Sequence, residues 1–129
     1  MVKEYLTEEM IEAGEALTAK LDEMGLPVAA ALWFFRVEDN EWRLLFASSE
    51  VSTVGPRSVY KRIQEAMQAL GEKVEAVPFS AIGLLDANDQ LVQLLRVALK
   101  TSGSVSRIRF SKNAINGHFI EDALIYRIL

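Results

Sequence analysis

The chain has 129 residues, half of them apolar and a quarter charged, with a net charge of −4 at pH 7. That length suits one compact domain, residues 1–129, able to bury roughly two-thirds of its unfolded surface without covalent staples. The composition excludes disorder and low-complexity repeats. The lack of cysteine excludes disulfides, Cys-ligated zinc, iron–sulfur clusters and thiol nucleophiles.

Residues 1–25 set two lysines against seven acids, and the remainder is close to balanced. Phosphate neutralisation supplies most non-specific affinity for nucleic acid, so an acidic chain makes such a partner unexpected. The opening residues hold no apolar signal core, and the longest apolar stretch, 26–35, is too short to span a bilayer. A cytoplasmic protein without a membrane partner is expected.

Thr7 before Glu8 and Glu9 reads as an N-cap with acids in the first turn. Met10, Gly14, Leu17, Leu21 and Met24 recur at helical spacing, and Gly25 and Pro27 end the stripe. This predicts a helix over 7–24. Residues 28–37 and 42–48 are apolar, aromatic runs around the polar Glu38–Glu41, which predicts a hairpin. Residues 48–55 read as a loop. Pro56 suits a first helical position, and Val59, Ile63, Ala66, Met67 and Leu70 form the next stripe, ended by Gly71. A short strand is expected over 80–85, then a third helix capped by Asn88 and carrying Leu91, Leu94, Leu95, Ala98 and Leu99.

The last segment predicts strands over 105–111 and 119–129 around Asn116-Gly117, a pair suited to the two positive-φ positions of a type I′ turn. Centring the turn there sets Lys112 against Glu121, Phe110 against Ala123 and Ile108 against Ile125. The fold class is therefore α+β: helix, hairpin, helix, strand, helix, hairpin, with about five mainly antiparallel strands packed against three helices. This order resembles small sensory folds of the GAF, PAS and profilin type, in which a helix also precedes a hairpin.

Both faces of the sheet call for cover. On the first strand Ala29, Ala31, Trp33 and Phe35 alternate with Val28, Ala30, Leu32 and Phe34. On the last, Phe119, Ala123 and Ile125 alternate with Ile120, Leu124, Tyr126 and Ile128. Helices divided between the two faces would satisfy this within one chain. The favoured expectation is a homodimer, or contact with another protein, with Trp33, Phe35, Ile120, Leu124 and Tyr126 as interface candidates.

Four clusters carry possible chemistry. Ser52, Thr53, Arg57 and Lys61 surround a helix start and suit an anion, although the spacing of a P-loop is absent. Asn113, Asn116, His118, Glu121 and Asp122 are dense in polar groups. On a strand, however, His118 and Asp122 stand about 13 Å apart, too far for a catalytic pair. Arg107 and Arg109 share a strand face with Arg127 nearby, and with Lys112 they could grip phosphates. They could instead meet Glu8, Glu12 and Glu15 of another copy. Trp33 and Trp42 read as core or interface anchors. There is no nucleophile elbow, metal-binding fingerprint or dinucleotide motif, so no catalytic residue, metal or cofactor is expected. The reading favoured is a non-catalytic dimerisation, interaction or small-ligand sensing module. The alternative is a small enzyme or binder of a phosphorylated ligand or nucleotide using the helix start near Arg57.

Overall fold

A computed structural model describes residues 2–129. Helix α1 (Glu8–Glu23) begins where the Thr7 hydroxyl accepts the Met10 amide. Strands β1 (Ala30–Arg36) and β2 (Glu41–Ser48) form the expected hairpin. The stretch read as a loop holds a single helical turn, α2 (Glu50–Thr53), in which the Ser52 and Thr53 hydroxyls donate back to the Ser49 carbonyl. Pro56 opens α3 (Pro56–Leu70), and Gly71 closes it at φ 57°. Two 3-10 turns lead into β3 (Ile82–Asp86). Helix α4 (Gln90–Ala98) is capped by Asp89, whose carboxylate accepts the Leu91 amide, one residue beyond the expected Asn88. Strands β4 (Ile108–Ile115) and β5 (His118–Ile128) complete the chain.

The architecture is α+β, with a mixed five-stranded sheet in the order β3-β2-β1-β5-β4. Only β2 and β3 run parallel, because the connection between them carries two helices and returns the chain to the starting end of the sheet. The β4–β5 register follows the expected pairing, with Ile108 opposite Ile125 and Phe110 opposite Ala123, and Asn116 and Gly117 both have positive φ.

Two local irregularities change which side chains share a face. Lys112 adopts φ 47°, and the ladder steps over the 112/121 position, so the expected Lys112–Glu121 pair is not formed. Alternation reverses there, and Ile120 joins Ala123 and Ile125 in one cluster. A bulge places Arg127 opposite Ala31 and Ile125 opposite Leu32, leaving Tyr126 as the extra residue. Beyond it, Ile128 also returns to the cluster of Ile125.

Helices α1 and α3 cover one face, over Ala31, Trp33, Phe35, Trp42, Leu44, Phe46, Leu124 and Tyr126. Helix α4 lies on the other, where Val92 and Leu95 pack on Ala30, Leu32, Ala47, Ile115, Ile120, Ala123, Ile125 and Ile128. The helices are thus divided between the faces, and the homodimer loses its premise of a bare second face. All five interface candidates, Trp33, Phe35, Ile120, Leu124 and Tyr126, are buried within the chain itself. Among the described residues no helix is long and apolar enough to cross a membrane.

Candidate functional site

Helix α3 presents a broad groove, about 710 Å³, lined by Val54, Arg57, Ser58, Tyr60, Lys61, Gln64 and Phe79. Its geometry follows from helical spacing. Val59, Ile63 and Ala66 are buried against α1 and the sheet, which turns Arg57, Lys61 and Gln64 outward along one stripe. Tyr60 sits between the two stripes and meets Phe79 of the second 3-10 turn edge to face, with ring centroids 5.7 Å apart. Arg57 and Lys61 form no salt bridge or hydrogen bond with any described residue. Two uncompensated cations thus stand beside an aromatic floor.

The expected anion site is only partly assembled. Arg57 and Lys61 share the groove. Ser52 and Thr53 lie outside it, with Ser52 Oγ bonded to the Ser49 carbonyl and 3.4 Å from Asp86 Oδ1. Arg62, next in sequence, turns inward to the Met24 carbonyl and to Glu50. It ties α3 to the end of α1 and does not contribute to the groove.

The three arginines expected to grip phosphates are committed within the fold. Arg107 reaches Glu8 at 2.9 Å and Glu15 at 3.0 Å on α1 of the same chain, so the acids expected to meet it from another copy are supplied internally. Arg109 forms a two-pronged pair with Asp122 at 2.7 and 2.8 Å. Arg127 is buried and holds Asp22 together with the Val28 and Gly103 carbonyls, locking the end of α1 to the two neighbouring loops. A phosphate grip by these three arginines would have to break each of these contacts.

His118 is exposed where β5 begins and, with Asn116, lines a cavity of about 520 Å³ against Gln90, Leu91, Gln93, Leu94 and Val97 of α4. Asp122 is absent from that cavity. Its buried carboxylate accepts from Lys3, Arg109 and Ser111. Burial alone would push this carboxyl up, and the three donors outweigh it and hold the group well below the usual carboxylate range. The Asn113 side chain accepts the Ala114 amide. Among the described residues no three His, Asp or Glu side chains converge on a metal position.

Sequence reasoning missed the surroundings of Asp122. Phe35 and Trp42 are cross-strand partners, a register the hairpin reading did not specify. Lys3 lies 119 residues from Asp122, and no local pattern connects them. No family model, curated protein or solved structure matches the chain. The likeness to small sensory folds is therefore one of element order alone.

Proposed function

We propose that the chain is a non-catalytic binding module whose α3 groove recognises an anionic ligand carrying a flat ring. The observation that carries this reading is the pairing of Arg57 and Lys61, both uncompensated, with the Tyr60–Phe79 aromatic floor in one groove. Two cations one helical turn apart suit a phosphate or carboxylate, and the rings suit an aromatic or heterocyclic body. The non-catalytic part rests on how the polar groups are used. The buried Asp122, Arg127, Thr18 and Ser48 side chains all serve structural hydrogen bonds, to side chains or to nearby backbone. The Ser52 hydroxyl has a carboxylate beside it but no imidazole.

Phenyl phosphate at millimolar concentration tests the proposal. It should raise the melting temperature, because a ligand bound only to the folded state stabilises by mass action. The rise should vanish in Arg57→Ala and in Lys61→Ala. An unchanged melting temperature in the wild type would refute the reading, as would an equal rise in both variants.

A second reading, self-association, is favoured by the α4 face. Nine residues of helix are about 14 Å long, against a five-stranded sheet about 24 Å wide. Phe34, Leu45 and Leu85 stay half-buried there, and Val97 on α4 is 62% exposed. Light scattering behind size exclusion, over a hundredfold concentration range, should show a dimer if a second copy completes this face. A monomer throughout would exclude it.

A further inference from the structure

The segment preceding α1 is held on the β1–β2 hairpin in the manner of a bound peptide. Lys3 Nζ lies 2.6 Å from Asp122 Oδ2, 4.9 Å from the Phe35 ring centroid and 5.7 Å from that of Trp42. The backbone on either side is also read. The Asn40 side-chain amide donates to the Val2 carbonyl and accepts from the Glu4 amide, and Trp42 Nε1 donates to the Glu4 carbonyl. Val2 and Tyr5, on either side of this contact, point to solvent at 88% and 79% exposure. Lys3 alone lies against the rings and the carboxylate, with its side chain 37% exposed.

The walls of this enclosure do not depend on Lys3. Phe35 and Trp42 face each other across the hairpin with centroids 5.3 Å apart. Asp122 is 5% exposed and pinned by Arg109 and Ser111. The Arg109 guanidinium also lies over the Trp42 ring, 5.5 Å from its centroid. An ammonium beside two packed aromatic rings and a desolvated carboxylate gains both cation–π attraction and a charge-assisted hydrogen bond. A pinned cage of this kind has already met the ordering cost that limits weak binding.

The geometry points to a lysine-recognition site, formed by Phe35, Trp42, Asp122 and Asn40, that accepts an extended lysine-containing peptide segment and is filled here by the chain's own Lys3. The flanking contacts to Val2 and Glu4 backbone favour a peptide lysine over a free amine, since Asn40 and Trp42 would otherwise have no role in recognition. Displacement of the 2–5 segment would then exchange an internal occupant for an external one. This site is separate from the α3 groove, and the outcomes at the two are independent.

The test uses the full chain as Lys3→Ala, which empties the cage, and as Lys3→Met, which refills it with an uncharged stem. Binding is read from the Trp42 indole N–H resonance during titration. n-Butylammonium should saturate a shift in Lys3→Ala, while n-butanol and the Lys3→Met chain should give none. The wild type should bind about tenfold more weakly than Lys3→Ala, because its tethered lysine competes at high effective concentration. The capped peptide Val-Lys-Glu-Tyr, which must also displace the chain's own Val2 and Glu4 backbone from Asn40 and Trp42, should shift the same resonance in Lys3→Ala and compete with n-butylammonium, and Val-Ala-Glu-Tyr should not bind. Equal responses to n-butanol and n-butylammonium, or none to either, would overturn the cage. Binding of n-butylammonium without the lysine peptide would overturn the peptide assignment.

Discussion

Replacing Gly14 by Ala should reverse the usual sign of a helix glycine substitution. In an ordinary helix interior the change stabilises by about 0.5–1 kcal/mol. At Gly14 an added Cβ would stand 2.3 Å from Tyr126 Oη and 2.8 Å from both Trp33 Nε1 and Tyr126 Cε2. Neither ring has room to retreat. Both are fully buried, and each is tied to α1 itself, Trp33 through the Met10 carbonyl at 3.2 Å and Tyr126 through the Ile11 carbonyl at 2.6 Å. Either α1 lifts from the sheet or one ring turns and gives up its hydrogen bond. Overpacking costs about 1–3 kcal/mol and the lost bond about 1 kcal/mol. After subtracting the helix-propensity gain, a net loss of about 2 kcal/mol remains. With a urea slope of about 2 kcal/mol/M, the unfolding midpoint should fall by about 1 M, followed by tryptophan fluorescence. Gly103→Ala is the control, since a Cβ there meets nothing within 4 Å, and its midpoint should not move. A Gly14→Ala chain as stable as the wild type would refute the packing argument.

The remaining predictions concern charge and cover. Asp122→Asn should cost about 1–3 kcal/mol at pH 7, with the partly exposed Lys3 and Arg109 ammonium and guanidinium groups free to regain water. Because Asp122 is held below its unfolded value of about 3.9, its contribution is present above that pH and is lost as pH falls toward the folded value. The difference between wild type and Asp122→Asn in urea denaturation should therefore shrink below about pH 4. Burial raises the Tyr126 phenol above its ordinary value, so the neutral form stabilises the fold below about pH 10 and loses that advantage as pH rises through it. Tyr126→Phe should cost about 1 kcal/mol at pH 7, and this difference should narrow above pH 10. Arg107→Ala, which removes an exposed pair of bridges to Glu8 and Glu15, should cost less than about 1 kcal/mol, and less still in high salt. Leu95→Ala, on the buried side of α4, should cost about 2–5 kcal/mol by opening a cavity in the second core, measured by thermal or urea unfolding.

What the sequence disclosed was local. Thr7, Pro56, Gly71 and Asn116-Gly117 act through their own backbone, and the structure uses each as its chemistry requires. The β4–β5 register followed from that turn alone. Face assignments failed at Lys112 and Tyr126 because a positive φ and a bulge break strict alternation, and neither residue type signals such an irregularity. The doubly apolar sheet was correctly legible, but its cover was not. Whether α4 crosses under the sheet depends on β3 pairing with the far edge of β2, a long-range choice that no spacing encodes. The candidate site divided in the same way. Arg57 and Lys61 lie one turn apart on a helix whose phase was readable. Ser52 and Thr53 were drawn off by a helical turn that satisfies its own carbonyls. Arg107, Arg109 and Arg127 looked available in sequence because their acids lie 13 to 105 residues away.

In the proposed function Arg57, Lys61, Tyr60 and Phe79 act together as one ligand-binding groove. A two-dimensional amide NMR titration with phenyl phosphate tests this, with inorganic phosphate and phenol as separate halves of the ligand. Saturable shifts should be confined to residues 54–64 and the turn at Phe79, with phenyl phosphate binding more tightly than either half. Shifts scattered over the surface, or equal affinity for phosphate alone, would contradict it.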